Sequence, residues 1–287
     1  MTTEIWAHRG ASRQAPENTL PAFARAIEIG ADGVEFDVQL TRDGQLAVIH
    51  DETVDRTSDG TGRVVDFTLS QLREFNASAR FEGGFERTDI PTLDEVLDLL
   101  APSPMSVNIE LKNSVIAYPG LEERVIEKIS EFSLGGRVVL SSFSQESVQR
   151  LKSLQDSAGN AGLFELAALF EVPLWRPFDK AIEPDPLAAA KSAQPGAFSE
   201  LGDLFSVLSW RPVPRTVELG AQAVHPPAPT VWNSRYVRKA HEAGLKIRPW
   251  VADLNRTLAK LISWGCDAVF TNVPDVALRL RDDIARR

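Results

Sequence analysis

Carboxylates stand at alternate positions in two apolar stretches of the sequence, GVEFDVQL and NIELK. Glu35 and Asp37 share the first stretch, and Glu110 stands two residues before Lys112 in the second. If both stretches are β-strands, side chains two residues apart point to the same face. Three carboxylates gathered on one face could ligate Mg²⁺ or Ca²⁺ through oxygen. The alternative is a buried salt-bridge network in which Glu110 pairs with Lys112 or with Arg9.

Two histidines flank these candidate ligands. His8 ends the apolar stretch EIWAH and is followed by Arg9, a cation that either meets solvent or binds an anion. The Asp-Gly pair at 43–44 predicts a two-residue type I′ hairpin, whose register places His50 directly opposite Asp37. An imidazole titrates near neutral pH and suits general acid–base catalysis. We therefore expect His50 to lie beside the carboxylates.

Strand and helix patterns alternate along nearly the whole chain and determine where these side chains meet. The eight predicted parallel strands are EIWAHRG, GVEFDVQL, MSVNIELK, RVVLSSF, AGLFE, AQAVHP, LKIRPWV and DAVFTN. Eight strands that alternate with helices predict an α/β fold, the (β/α)8 TIM barrel, whose sites lie at the carboxyl ends of the strands. An open doubly wound sheet is the nearest rival, but no glycine-rich nucleotide-binding loop follows the first strand.

Two segments interrupt this alternation within what we expect to be a single domain over residues 1–287. Residues 52–90 are polar and contain TSDGTG and FEGGFER, which predicts a small insertion after the second histidine. Residues 167–220 are rich in proline and tryptophan. A long segment of this kind predicts an irregular insertion, which is a candidate cover on the substrate side.

Composition narrows the classes of function. The net charge of −9 disfavours nucleic acids and anionic membranes as partners. A single cysteine, Cys266, excludes an internal disulfide. No apolar run approaches the ~20 residues of a membrane-spanning helix. The chain starts with a strand pattern rather than a basic and apolar leader, so we expect a cytoplasmic protein. The oligomeric state is left open.

An ordered series of short motifs resembles one known family. The motifs, in chain order, are HRG, PENT, EFDV, HD, DRTSDGTG, TLDEVL, NIELK, SSF and DAVFTNVPD. Together they resemble the glycerophosphodiester phosphodiesterase family over most of residues 4–166 and 221–276. The resemblance implies a TIM barrel with a small insertion after the second histidine. It also implies hydrolysis of glycerophosphodiesters to an alcohol and glycerol 3-phosphate.

Carried over residue by residue, the resemblance implies a role for each candidate. The implied set is Glu35, Asp37 and Glu110 as ligands of one divalent metal ion, Mg²⁺ or Ca²⁺; His8 and His50 as an acid–base pair; and Arg9, Lys112 and Trp250 as phosphate- or substrate-binding residues. A small-molecule glycerophosphodiester is therefore the expected partner.

Three supporting residues each have two interpretations. Glu17 matches a glutamate of the family motif, but it could instead complement a helix dipole. Asn18 could face the ligand or cap the following helix. Asp51 could orient the imidazole of His50 or stand in a solvated turn. In addition, Asp253 stands where the family commonly has asparagine, which leaves the alcohol specificity open.

Two other functions compete with this interpretation. The same site could cleave lysophospholipids in the manner of a phospholipase D, given an apolar trough at the mouth of the barrel. Four aromatic residues could line such a trough: Trp175, Phe178, Trp210 and Trp250. A non-catalytic binding barrel is the third possibility, but no histidine or candidate metal ligand is missing from the sequence.

Overall fold

Parallel strands form a nearly closed barrel in the computed structural model, which describes residues 2–132, 134, 136–157, 162–171 and 211–286. The strands are β1 (Glu4–His8), β2 (Gly33–Leu40), β3 (Leu46–Val48), β4 (Ser106–Leu111), β5 (Val138–Ser142), β6 (Glu165–Leu169), β7 (Ala223–His225), β8 (Lys246–Ile247) and β9 (Ala268–Thr271). Eight of them pair in parallel in the order β8-β7-β6-β5-β4-β2-β1-β9, and β3 pairs antiparallel with β2.

The two ends of this strand order meet through backbone hydrogen bonds. The amide of Asp267 donates to the carbonyl of Ile247 at 3.0 Å, and the amide of Phe270 donates to the carbonyl of Pro249 at 3.0 Å. These bonds join the region of β8 to β9. The arrangement confirms the predicted TIM barrel and rules out the open sheet.

Helices cover the outside of the barrel. They are α1 (Leu20–Ile29), α2 (Leu69–Leu72), α3 (Leu93–Leu100), α4 (Leu121–Glu131), α5 (Gln145–Asp156), α6 (Pro212–Glu218), α7 (Ser234–Glu242), α8 (Asn255–Ser263) and α9 (Pro274–Ala285). In the part of the chain that the structure describes, no helix is both long enough and apolar enough to cross a membrane.

Side-chain alternation on β2 and β4 sorts apolar from charged residues. Val34, Phe36 and Val38 on β2, with Ile109 and Leu111 on β4, are buried in the main core against the helices. Successive strand residues point to opposite faces, so the charged residues between them face the barrel interior. This outcome agrees with the alternation in the sequence.

The turn after β1 depends on a glycine that lies against α1. Gly10 has φ +79°, and a Cβ placed there would lie 2.7 Å from the backbone carbon and the Cβ of Ala22. Arg9 and Asn18 also adopt positive φ, each +56°, and the amide of Asn18 donates to the carbonyl of Arg9 at 3.0 Å. Left-handed backbone at non-glycine residues is uncommon and is found mainly where surrounding contacts fix it.

The β2–β3 hairpin differs from the predicted one. Val38 pairs with Val48, a register shifted by one residue from the predicted pairing of Asp37 with His50. The loop has three residues and ends at Gly44 with φ +73°, and Asp43 does not adopt positive φ. The prediction of a type I′ turn is therefore wrong.

The side chain of Thr41 accounts for this turn. Its hydroxyl donates to Asp43 Oδ1 at 2.6 Å and accepts the amide of Gln45 at 2.9 Å. These bonds stabilise a three-residue loop with a left-handed glycine, the next most common hairpin connection after the two-residue turns.

Residues 52–90 contain an apolar cluster of their own. Buried side chains of this segment pack with Ala47 and Ile49 of the hairpin: Val54, Val64, Leu72, Ala77 and Ile90. The segment also holds a 3-10 helix, Val64–Asp66, and the short helix α2. The insertion, although polar in sequence, therefore has a small hydrophobic core that packs against the barrel.

Two predictions around the sixth strand are corrected. The predicted strand AGLFE ends at Glu165, where β6 begins. Residues 167–220 are not irregular throughout, because β6 continues to Leu169 and α6 occupies Pro212–Glu218. Residues 172–210, which include Trp175, Phe178 and Trp210, lie outside the described residues.

Candidate active site

Three carboxylates meet inside the barrel at the carboxyl ends of β2 and β4. Parallel pairing aligns Asp37 with Glu110, and Glu35 lies two residues earlier on β2. The three side chains are buried, and one carboxylate oxygen from each lies within 4.8 Å of the other two. Such a group of oxygen ligands is suited to a hard divalent cation.

The electrostatics of the cluster fit a cation at its centre. Burial, together with repulsion from Asp37 and Glu110, raises the pKa of Glu35 well above its usual range. Burial also raises the pKa of Glu110, despite the neighbouring charge of Lys112. Asp37 Oδ1 is buried and accepts no hydrogen bond from the residues that the structure describes. A bound cation would offset the repulsion and complete the coordination of that oxygen.

Asp37 itself is kept ionised by its surroundings. Burial alone would raise its pKa, but the charges of His50, Lys112 and Arg9 lower the pKa to about 2. The side-chain Nδ2 of Asn18 also donates to Asp37 Oδ2 at 2.9 Å. Asp37 is therefore a carboxylate at neutral pH.

Two cations lie against the three carboxylates. Lys112 Nζ donates to Glu110 Oε1 at 2.8 Å and lies 3.7 Å from Asp37 Oδ1. The backbone amide of Arg9 donates to Glu35 Oε2 at 2.9 Å, and its guanidinium Nε lies 3.6 Å from Asp37 Oδ2. That Nε is buried and donates no hydrogen bond within the described part of the chain. Salt bridges and a candidate metal site thus coexist on the same residues.

His8 is held in one orientation by residues that the sequence analysis did not identify as site residues. Its Nδ1 lies 2.8 Å from Asn272 Oδ1, and Asn272 Nδ2 donates to Asp253 Oδ2 at 2.7 Å. Since the amide oxygen accepts, His8 carries its proton on Nδ1 and leaves Nε2 free, 3.9 Å from Glu35 Oε2. Burial and the charge of Arg9 lower the pKa of His8 to about 4, so the ring is neutral.

His50 reaches the site by another route than the predicted register. Strand β3 ends at Val48. The side-chain Nε2 of Gln39 then donates to the backbone carbonyls of the next three residues at 3.0, 3.0 and 2.7 Å: Ile49, His50 and Asp51. Tyr118 donates its hydroxyl to Gln39 Oε1 at 2.9 Å and so fixes the amide. These bonds hold the His50 segment next to β2.

Asp51 contacts the imidazole of His50 directly. Its Oδ1 lies 2.5 Å from His50 Nδ1, and the charge of His50 in turn lowers the pKa of Asp37. This contact is the one that an orienting role of Asp51 would require.

The two other supporting residues also have defined partners. The side chain of Asn18 bonds to Asp37, and Thr19 rather than Asn18 is the N-cap residue of α1. Glu17 accepts a hydrogen bond from Arg9 Nη1 at 2.8 Å and further bonds from Arg56. Asn18 therefore does not cap α1, and Glu17 lies outside the first turn of that helix.

Trp250 forms part of an aromatic wall near Lys112. Its ring packs edge to face on Phe143 with a centroid separation of 5.4 Å, and its Nε1 donates to the carbonyl of His225 at 2.9 Å. The ammonium of Lys112 lies 5.8 Å from the centre of the Phe143 ring. The wall leaves Trp250 half-buried beside the charged cluster.

Solved structures share this fold and define its class. A glycerophosphodiester phosphodiesterase from Agrobacterium tumefaciens is 27% identical, with a TM-score of 0.71 over 96% of this chain and 99% of that one. A phosphodiesterase from Oleispira antarctica, solved in complex with the product sn-glycerol-3-phosphate, is 25% identical, with a TM-score of 0.72 over 98% of this chain and 97% of that one. The molecule is a TIM barrel of the phosphodiesterase class.

Sequence comparison gives the family. The model of the glycerophosphoryl diester phosphodiesterase family matches residues 8–276. A glycerophosphodiester phosphodiesterase from Caldanaerobacter subterraneus is 35% identical over 280 residues, which is 98% of each chain. The chain belongs to the glycerophosphoryl diester phosphodiesterase family. The resemblance seen in the motifs and the prediction of an enzyme are confirmed.

Proposed function

We propose that this enzyme hydrolyses glycerophosphodiesters to an alcohol and glycerol 3-phosphate with the help of one divalent cation. The observation that carries the proposal is the meeting of Glu35, Asp37 and Glu110 with two histidines at one end of the barrel. The solved relative from Oleispira antarctica, which holds sn-glycerol-3-phosphate, supports the choice of substrate.

The three carboxylates would hold the cation, and Arg9 and Lys112 would bind the phosphate. Mg²⁺ and Ca²⁺ are the ions that an all-oxygen ligand set favours. A bound divalent cation supplies Lewis-acid stabilisation of negative charge on phosphoryl oxygens. The guanidinium of Arg9 lies beside the carboxylate cluster, where its positive charge would attract a phosphate oxygen.

The two histidines would divide the proton transfers. His8, protonated on Nδ1, offers a free Nε2 that can accept a proton from the attacking oxygen. That oxygen belongs to water or to a neighbouring glycerol hydroxyl, and it bonds to phosphorus while the bond to the leaving alcohol breaks. His50, supported by the carboxylate of Asp51, then donates a proton to the leaving oxygen. If the glycerol hydroxyl attacks, the first product is a cyclic phosphate, and water must then attack phosphorus and break its bond to that hydroxyl to give glycerol 3-phosphate.

A two-substrate assay tests this function. Glycerophosphocholine and lysophosphatidylcholine are each incubated with the enzyme, with and without EDTA, and glycerol 3-phosphate and choline are quantified. We expect glycerol 3-phosphate from glycerophosphocholine, only in the samples without EDTA. Choline from lysophosphatidylcholine alone would replace the proposal with the phospholipase D activity, and no product from either substrate would indicate a binding barrel.

A further inference from the structure

Arg56 lies in the insertion and links two parts of the site that the chain brings together from different loops. We propose that Arg56 is a positioning residue that holds His50 and Arg9 in one rigid unit. The inference rests on the proposed function, because it assigns His50 and Arg9 to proton transfer and phosphate binding. Arg56 itself acts through two carboxylates, Glu17 and Asp51.

The guanidinium of Arg56 makes paired hydrogen bonds to both carboxylates. Its Nε donates to Asp51 Oδ2 at 2.6 Å and its Nη2 to Asp51 Oδ1 at 3.1 Å. On its other side, Nη1 donates to Glu17 Oε2 at 2.9 Å and Nη2 to Glu17 Oε1 at 2.7 Å. These bonds engage four of the five N–H donors of an arginine. Arg56 therefore has little capacity left to bind a phosphate.

Each carboxylate passes the constraint on to a site residue. Glu17 Oε1 also accepts Arg9 Nη1 at 2.8 Å, and Asp51 Oδ1 also contacts His50 Nδ1 at 2.5 Å. The result is a chain of alternating charge that runs from Arg9 through Glu17, Arg56 and Asp51 to His50. Its two ends belong to the turn after β1 and to the segment after β3.

The geometry distinguishes this chain from an ordinary surface ion pair. A single exposed pair contributes little, but a bidentate arginine between two carboxylates fixes both in plane. Burial would raise the pKa of both Glu17 and Asp51, yet their cationic and hydrogen-bonding partners keep both values well below the usual range. Both carboxylates therefore remain ionised and able to accept these bonds at the pH of the assay.

Loss of Arg56 should release the two loops from each other. Glu17 would keep Arg9 as its partner, but Asp51 would lose the group that fixes its carboxylate plane. A displacement of about 1 Å in a catalytic group can lower the rate by about 10²-fold. We therefore expect Arg56→Gln to lower kcat by about that factor, with a smaller effect on KM.

Arg63→Gln is the matched control. Arg63 lies in the same insertion and also makes a bidentate pair, at 2.9 Å for both bonds, but its partner is the exposed Asp66. Arg63→Gln should retain the wild-type kcat. Arg56→Lys should have a kcat between those of Arg56→Gln and the wild type, since one ammonium cannot form the four hydrogen bonds of the guanidinium.

Rescue by a free cation separates positioning from general destabilisation. The side chain of Arg56 is 47% exposed, so millimolar guanidinium can enter the gap in Arg56→Ala. We expect guanidinium chloride to raise the kcat of Arg56→Ala towards that of the wild type, while ammonium chloride has no effect.

Wild-type kcat in Arg56→Gln, or a loss that guanidinium does not recover in a folded Arg56→Ala, would overturn the inference. An inactive wild type would instead overturn the proposed function on which the inference rests.

Discussion

At the scale of single residues, the orientation of His8 depends on Asn272 and Asp253. The carboxylate of Asp253 accepts three hydrogen bonds. The donors are the backbone amide of Asn272 at 2.8 Å, the side-chain Nδ2 of Asn272 at 2.7 Å and the hydroxyl of Thr271 at 3.1 Å. The carboxylate thereby turns the oxygen of Asn272 towards His8. Asp253, a departure from the family pattern, thus has a defined role in the geometry of the site.

Exchange of these two side chains tests that role. Asn272→Asp would place a second carboxylate against that of Asp253. Repulsion between the two would turn or displace the side chain at position 272, which would then no longer hold His8. We expect kcat to fall by about 10²-fold, within the usual range for a disturbed acid or base. Asn272→Asp combined with Asp253→Asn restores one amide and one carboxylate and should recover most of the loss. A double variant no better than Asn272→Asp would contradict this assignment.

Single residues also show where sequence reasoning stops. Glu35, Asp37 and Glu110 could be placed together because their spacing on strands fixes the face they occupy. The contacts of Arg56 with Glu17 and of Asn272 with His8 could not be found this way, because these partners are 39 and 264 residues distant. Both residues did lie within family motifs, Arg56 in DRTSDGTG and Asn272 in DAVFTNVPD, and these motifs were the available signal.

At the scale of elements, the hairpin shows that local turn chemistry was the weakest prediction. The Asp-Gly pair alone favours a two-residue turn, but the Thr41 hydroxyl and the contact of Asp43 Oδ1 with the amide of Leu69, 3.1 Å, favour another. The latter contact comes from the insertion, which no local rule includes. His50 still reaches the site because Gln39 holds the backbone beyond the end of β3.

The turn after β1 provides a matched pair of glycine substitutions. Gly10 and Gly30 have nearly the same φ, +79° and +77°, but a Cβ at Gly30 would meet nothing within 4 Å. Gly30→Ala should therefore reduce the free energy of unfolding by only the left-handed strain, about 1–2 kcal/mol. Gly10→Ala adds a collision with Ala22, and we expect a further loss of about 1–3 kcal/mol.

Urea denaturation of both variants measures the difference, and kcat provides a second readout. Gly10→Ala should also lower kcat, since Arg9 precedes the displaced residue, whereas Gly30→Ala should not. Equal losses of stability in the two variants would show that the close approach to α1 has no energetic consequence.

At the scale of the whole molecule, the opposite end of the barrel carries a separate charge cluster. Glu165 pairs with Arg248 Nη1 and with Lys246 Nζ, both at 2.6 Å, and the guanidinium of Arg248 lies 4.8 Å from the centre of the Trp6 ring. Glu165 and Lys246 are the first residues of β6 and β8, and Arg248, which follows β8, extends its side chain back to Glu165. That end of a TIM barrel serves stability, whereas catalysis uses the other end.

Glu165→Gln should therefore reduce stability without reducing turnover. The substitution leaves Arg248, which is 4% exposed, without its carboxylate partner. We expect a loss of about 3 kcal/mol in the free energy of unfolding, with kcat unchanged. Lys246→Gln removes the more exposed partner and should cost about 0–1 kcal/mol.

The pH dependence of unfolding provides an independent check. Burial would raise the pKa of Glu165, but Arg248 and Lys246 outweigh it and lower the pKa. A lowered folded-state pKa gives stability above the unfolded pKa that disappears as the pH falls. Glu165→Gln should lack this acid-dependent component. A marked fall in the kcat of Glu165→Gln, beside its loss of stability, would show that the two ends of the barrel are energetically coupled.

The proposed function requires a divalent cation on Glu35, Asp37 and Glu110. The most direct measurement is glycerol 3-phosphate release from glycerophosphocholine by exhaustively chelated enzyme, followed by titration with Mg²⁺ or Ca²⁺. We predict that the chelated enzyme is inactive. Activity of the wild type should return during the titration and reach its maximum when one ion is bound per chain, whereas Asp37→Asn should stay inactive. Full activity in the chelated wild type would show that hydrolysis needs no cation on these three carboxylates.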